Sequence, residues 1–520
     1  MQLLKETLFW LCRNRIKAYF ALLLGLLLYV YYPSFFHPPR SDYWPALYFF
    51  YRIDAIGGPL KWACLLAHDP LINVTFRPLS FLISYGEHLV FGSNYFLPQI
   101  LNFTLYYLSI FLLYKTAMVF SLRRGFVLAV LFLFAFLFSH FDIVCWGFHS
   151  HIILSFCLFL CAFLFYDRYT RSGKRWMLTG TVLCTLSGML MYEVFFLWPL
   201  AIGLLYYLKK ISGEEGLPPC KDTLATVIVI YAVYAAFFFV DRMFKSFRGP
   251  SIGLSPLFLF NTLAPSVFLI FFNILYNNIL INLQPHLAHP LYTGDNNLNM
   301  SGLIARINAD LGVVIFVGGA VVMIAVFLSA VWLYKKQDKK PAAAFLFFVY
   351  LLLAELFILF WFKSLVNSGV YNLTQFRFQY IPNAFVLLAF VCLTQVFLEQ
   401  RAVLRAVCAF LLAAALVFNI HASRQGVMFL TRELRPVKVI IANISSALAT
   451  QKITREKKLF IDRDIVKRLP TLCWNNEMGK RCMRGTYEWI FPASQIDCFS
   501  GKEEASWVLD PKTLKIKAKR

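Results

Sequence analysis

The sequence is short of charge, and shortest of acid. Only 15% of its 520 residues are charged, and 27 acidic residues stand against 50 basic ones. A water-soluble chain of this length needs a polar surface that such a composition cannot supply, so a soluble protein is excluded. Histidine is scarce as well, at nine. None lies near the polar cysteines, which fit no usual zinc spacing. The formal net charge of +23 is accompanied by no basic fold motif, so nucleic acid is set aside as a partner. No internal repeat of the kind used by helical arrays recurs. No small-residue cleavage site follows the basic flank (Lys5, Arg13, Arg15, Lys17) and first apolar run, so that run is expected to remain as a span.

What is present is apolar. Hydrophobic residues make up 59% of the chain, 55 of them Phe, and the mean hydropathy is +0.64. Runs near twenty residues recur, each long enough to cross about 30 Å of hydrocarbon as a helix. The fold class expected is an all-α polytopic membrane protein with about eleven or more transmembrane helices. Basic loops orient it, with Arg123 and Arg124, the loop DRYTRSGKRW, Lys209, Lys210, Lys221 and the run KKQDKK inside. Residues 1–420 form the membrane domain. The segment 36–97 is its first outward loop, and 241–310 is outward or re-entrant, because one crossing by 256–283 would put KKQDKK outside.

Residues 421–520 read as a small extracytoplasmic α/β domain, with twenty basic and ten acidic residues. LDPKTLKIK within it is a predicted hairpin whose turn opens at Pro511. Cys473 and Cys482 flank WNNEMGKR, which outside the cytoplasm favours a disulfide. Cys498 could replace either partner.

The first outward loop holds the chemistry. WPALYFFYRI and PLKWACLLAH are short, aromatic and amphipathic, suited to lying along the interface. Around them come Asp42, Arg52, Asp54, His68, Asp69, Arg77, Glu87 and His88. Ionisable groups held at a membrane surface form a functional-site hypothesis. Each also has a plainer reading: Asp42 as a helix N-cap, Asp69-Pro70 as a turn, Asp54 as surface and Arg77 as a headgroup anchor.

The order of these parts resembles the GT-C superfamily of membrane glycosyltransferases. The likeness rests on an acid soon after the first span, then FRPL and FGSN before the second. SGMLMYEVFFLWPL is similar to the family's K-E-x-x-x-x-x-P segment, with Tyr192 in place of Lys beside Glu193. QFRFQYIPNAFVLL is similar to its R-x-x-Y-x-P entry through Arg377, Tyr380 and Pro382. The resemblance covers about residues 18–400. It implies a polyprenyl-phosphate-linked sugar donor, Asp42 as the catalytic carboxylate and inversion at the anomeric carbon; no cofactor is expected, a divalent metal being possible but not favoured. Ser41 stands where many members carry a second acid, which weakens the case for a divalent metal. The compact tail resembles bacterial envelope members, implying undecaprenyl phosphate, the inner membrane and a periplasmic C-terminus.

The chemistry is consistent on its own terms. A carboxylate can take the proton of an attacking acceptor hydroxyl. Cations stabilise the departing phosphate, and Arg77, Arg377 and Lys363 are the candidates. Glu193 either orients the base, meets the acceptor, or is a helix-start carboxylate. Tyr380, Asp54, Glu87 and His149 (with His151) are further candidates for the acceptor side. Trp44 and Trp146 read best as interfacial anchors, and Glu355 as a carboxylate paired within the bundle. The acceptor is a glycan, lipid or protein. A transporter or flippase of lipid-linked sugars is the alternative, but the paired repeats and broken mid-membrane helices it favours are not evident. A polymerase or ligase would carry its large loop late in the chain, and a scaffold would give these ionisable groups no reason to gather.

Overall fold

Long apolar runs punctuated by basic clusters have one economical solution in lipid, which is helices that satisfy their own backbone and pack side by side. The computed structural model describes residues 14–38, 50, 53–54, 58, 61–62, 77–92, 94–244, 321, 324–333, 335, 339–364, 380–398, 402–454, 456–461, 502–510 and 512–519. Its helices are α1 (Arg15–Tyr31), α2 (Pro78–Phe91), α3 (Phe96–Val119), α4 (Arg124–Ala135), α5 (Phe141–Val144), α6 (Ser150–Ser172) and α7 (Trp176–Met191). There follow α8 (Trp198–Ile211), α9 (Cys220–Phe244), α10 (Ile324–Leu333), α11 (Lys339–Ser364), α12 (Tyr380–Leu398) and α13 (Ala402–Ala449). Among the described residues seven helical segments are long and apolar enough to cross a membrane, and four shorter apolar helices accompany them. The all-α membrane architecture expected from the sequence is thus present, with seven full-length spans among the described residues against about eleven expected. Residues 245–320, which cover most of the difficult outward region, lie outside the described residues.

The core is aromatic. Trp198 is fully buried among Phe156, Phe159, Phe163, Phe195 and Phe385, with ring centroids 4.6–6.2 Å away. α6 packs against α3 and α7, and α11 against α12 and α8. α9 and the first half of α13 keep residues such as Phe239, Phe410 and Val417 exposed, as lipid-facing helices do.

Two helix breaks depart from a simple hairpin count, and both are satisfied by side chains. α4 has only 12 residues, about 18 Å, too short to cross alone. The irregular stretch after it would leave carbonyls without partners at costly depth. Instead Tyr106 donates to the Ala135 carbonyl at 2.8 Å, Ser423 to Phe136 at 3.1 Å, and Gln99 to Cys145 at 3.1 Å. Asn102 donates to Ile143 and Val144 at 2.8 and 2.9 Å, and the Phe138 N–H donates to Asn419 at 3.0 Å. The second break is a 3-10 turn, Glu193–Leu197. Tyr231 and Tyr350 donate to its Phe196 and Leu197 carbonyls at 2.8 and 2.9 Å. The amides and hydroxyls inside apolar spans thus hold non-helical backbone in place.

One end of α6, α8 and α9 carries an ion-pair network. There Lys209, only 3% exposed, lies 2.7 Å from Asp167 and 2.8 Å from Glu214, and Arg171 reaches Asp167 at 3.1 Å. Tyr169 donates to Asp222 at 2.6 Å. This network ties the ends of α6, α8 and α9.

At the opposite end α13 does not stop near 420 but continues through 48 residues, about 72 Å. Arg424 donates to the Tyr29 and Val30 carbonyls at 2.7 and 3.2 Å, capping the end of α1. Thr431 meets His37 at 2.9 Å, and Asn443 donates to the Leu514 carbonyl at 2.7 Å. That last bond ties the helix to a three-stranded mixed sheet of β1 (Leu459–Phe460), β2 (Trp507–Leu509) and β3 (Ile516–Ala518), in that order. β1 runs parallel to β2, and β2 antiparallel to β3 with Val508 opposite Lys517. The expected hairpin is present. Asp510 holds its turn by accepting from the N–H groups of Lys512 and Thr513, both at 2.8 Å. Cys473 and Cys482 lie outside the described residues.

Replacing Lys209 with Met should remove the buried cation that Asp167 shares with the partly exposed Glu214, leaving Asp167 with Arg171 alone. The expected cost is about 1–3 kcal/mol, read as a lower thermal unfolding midpoint in detergent. An unchanged midpoint would show that the network contributes nothing.

Candidate active site at the end opposite the basic loops

α2 starts where its sequence says it should. Pro78 occupies the first turn, where a missing N–H costs nothing. The Arg77 carbonyl accepts from the Ser80 N–H at 3.1 Å and from its hydroxyl at 3.2 Å. FGSN then ends one helix and begins the next. Gly92 takes φ +56°, its N–H donates to His88 at 2.8 Å, and Asn94 accepts from the Phe96 N–H at 3.1 Å. α2 lies against α7, α6 and α3.

α7 ends at Met191 because Tyr192 turns extended (φ −151°, ψ 109°). Gly188 lets that last turn approach α6, since a Cβ there would sit 2.5 Å from the Phe159 ring. Glu193 then opens the 3-10 turn, its carboxylate at the favourable end of the turn's dipole. The two segments meet as a fork. Arg77 Nε donates to Glu193 Oε2, and Nη2 to Oε1 at 2.5 Å. The guanidinium carbon lies 4.6 Å from the centre of the Tyr192 ring, a cation–π contact. Glu193 is 2% exposed and Arg77 14%. A paired carboxylate so deeply buried is costly to leave alone.

Two further clusters lie along the same helix. Asp54 accepts from Lys61 at 2.9 Å and from the Tyr85 hydroxyl, and its second oxygen is 3.6 Å from His88 Nε2. Desolvation pushes the Asp54 carboxyl up, but hydrogen bonds from Tyr85 and Lys61 outweigh it and hold it below its ordinary value. Burial likewise holds the His88 imidazole below its ordinary value against the pull of Asp54. On the inner side of α2, Glu87 is buried and accepts from Ser150 at 2.6 Å, at the start of α6. Burial pushes its carboxyl up to about 7, against the lowering effect of Ser150.

The sequence candidates divide accordingly. Arg77 and Glu193 are brought together, while Asp54 reaches α2 through Tyr85 and His88 and Glu87 of α2 meets Ser150. His149 and His151 are buried, not displayed at a tip; their rings lie 6.3 Å apart, and His149 stacks edge-on against Trp146 at 4.1 Å. Trp146 is itself buried, so it packs the loop instead of anchoring it in the interface. Tyr380 is fully buried, bonded to Ser109 and packed on Tyr106, Phe134, His140 and Phe156. None of these contacts is a member of the α2 clusters. Glu355 is buried in α11 with Oε2 lacking a hydrogen-bond partner among the described residues, so the expected pairing is not seen there. Asp42 and Arg377 lie outside the described residues, and Lys363 is placed only as a residue of α11. Among the described residues no three His, Cys, Asp or Glu side chains cluster as a metal site.

The sequence reading missed the Tyr85, His88, Lys61 and Ser150 contacts. The available signal was helical spacing: residues 84, 85, 87 and 88 fall on two adjacent faces of one helix.

No family model matches the chain, and no curated protein matches it. Among solved structures the chain is similar to the crystal structure of ArnT from Cupriavidus metallidurans in the apo state. The identity is 12%, the match covers 86% of this chain and 83% of that one, and the TM-score is 0.43. A likeness of that degree carries no argument about reaction or site.

Glu87 predicts a pH dependence. A carboxyl raised from 4.5 to about 7 in the folded protein favours folding fully below its unfolded value, and that advantage is lost as pH rises through about 7. Glu87→Gln should therefore flatten the fall in stability between about pH 5 and pH 8. At the upper end it should be the more stable protein, by up to about 3 kcal/mol. Parallel stability curves for the two proteins would contradict this.

Proposed function

We propose that this chain is a membrane glycosyltransferase that moves a sugar from a polyprenyl-phosphate carrier to an acceptor hydroxyl at the membrane surface. The observation that carries the reading is the Arg77–Glu193 fork on Tyr192. It joins FRPL of the first outward loop to MYE after α7, two segments chosen from sequence for one reaction and separated by 116 residues.

In this reading Asp42 is the general base, entering with the loop that the fork holds. It takes the acceptor proton while the hydroxyl oxygen bonds the anomeric carbon, and the bond from that carbon to the phosphate oxygen breaks on the opposite face. The reaction inverts the centre and releases polyprenyl phosphate. Lys363 and Arg377 supply cations for the leaving phosphate. Arg77 commits Nε and Nη2 to Glu193, so its part is to position the loop. Phe-rich spans suit the prenyl tail. The carrier in a bacterial envelope would be undecaprenyl phosphate, and the acceptor side would then face the periplasm. The Asp167–Lys209 pair and the Tyr169–Asp222 hydrogen bond favour this reading over a transporter, because together they tie α6, α8 and α9 at the end an alternating carrier would have to open.

The test incubates purified wild type and Asp42→Asn with a panel of polyprenyl-phosphate sugars and envelope extract, and follows free polyprenyl phosphate by mass spectrometry. Release from one donor by wild type, reduced roughly 10²–10⁴-fold in a folded Asp42→Asn, is expected. Equal release by both would remove Asp42 as the base. Carrier binding without release from any donor would overturn the transferase reading.

A further inference from the structure

On the outward side of α2 is a patch that the reaction above does not use. Tyr85 and Phe50, both fully buried, form its floor, with ring centroids 5.5 Å apart. Trp62 stands on this floor, edge-on to Tyr85 at 6.2 Å, yet it remains 48% exposed. Beside it Lys61 lies over the Tyr85 ring at 4.8 Å and is held at 2.9 Å by Asp54, itself 41% exposed. His88 closes the rim. Its ring tilts against Phe50 at 5.6 Å and Tyr85 at 6.1 Å, and its Nδ1 has no hydrogen-bond partner among the described residues.

We infer that Trp62, Lys61, Asp54 and His88 form a subsite for a saccharide ring of the acceptor. An exposed indole offers a flat apolar face to the C–H face of a pyranose. The carboxylate and ammonium beside it offer acceptors and donors at the edge where ring hydroxyls lie. Tyr85 and Asp54 fix both groups before any ligand arrives, which lowers the ordering cost of binding.

Charge decides the ligand class. Lys61 is neutralised by Asp54, and the imidazole beside them adds no fixed charge, so the patch suits a neutral polyol. A phosphate would meet the Asp54 carboxylate first. Anionic headgroups would meet the same repulsion, which separates Trp62 from an ordinary interfacial anchor. Position agrees as well. Arg77 and His88 are eleven residues apart on one helix, about 16 Å. The patch therefore sits well along the surface from the fork, on a rim open to solvent. That it serves the acceptor rests on the transferase reading.

The experiment uses full-length protein in lipid nanodiscs. The probes are methyl glycosides of glucose, galactose, mannose and N-acetylglucosamine, read by saturation-transfer difference NMR. At least one glycoside should receive saturation from wild type on its ring protons. Binding should weaken about tenfold in Trp62→Ala, the scale of one aromatic contact, and recover in Trp62→Phe. Lys61→Met should weaken it in the same direction. No glycoside binding to wild type would overturn the subsite, as would equal binding by Trp62→Ala, which would make Trp62 a membrane anchor. Polyprenyl phosphate release is measured on the same preparations. Release by wild type with equal glycoside binding by Trp62→Ala removes the subsite and keeps the transferase. Trp62-dependent binding without release from any donor keeps a saccharide site and removes the transferase.

Discussion

The arrangement at this end of the bundle depends on one buried ion pair. Glu193 is placed by the end of α7 and Arg77 by the start of α2, and neither can be taken from water alone without a penalty of several kcal/mol. Together, in bidentate geometry and with Tyr192 under the guanidinium, they satisfy each other. The pair therefore acts as a constraint on the loop. α2 must lie across the ends of α6 and α7, and its other polar residues follow from that. Tyr85 and His88 come to Asp54, and Glu87 comes to Ser150.

The bundle beneath is built to keep that platform fixed. Both non-helical breaks have several of their carbonyls met by Tyr, Asn, Gln and Ser from neighbouring spans. Arg424 and Asn443 extend the same logic upward, capping α1 and tying the small sheet to α13. At the basic end Lys209 closes the structure with two carboxylates. Many of the polar residues within apolar segments are thus joints between spans.

Much of this was legible in the sequence, and what was not has physical reasons. Hydropathy and the basic loops are averaged over many residues, so the spans and their alternation survive local irregularity. The FRPL and MYE segments carried signals because Pro78, Gly188 and Glu193 do local jobs at helix ends. The pairing of Arg77 with Glu193 was not legible, since each residue alone fits a plainer role and only the fold supplies the partner. The same holds for Tyr380 and Trp146, whose polar or aromatic character suggested a surface, while packing buried them. The length of α13 was missed because its polar half no longer faces lipid, and a hydropathy window ends where the membrane does. Glu355 stands apart: its buried Oε2 has no partner among the described residues, and the geometry offers no account of it.

The most direct test of the clamp is a double-mutant cycle on Arg77→Met and Glu193→Leu, reading thermal stability and donor turnover together. If the pair is the constraint described, either single variant leaves a buried charge alone and loses both stability and turnover. The double variant should then be no worse than the costlier single, with a coupling of about 2–3 kcal/mol in stability. Losses that simply add would contradict it, because the two residues would then be acting independently.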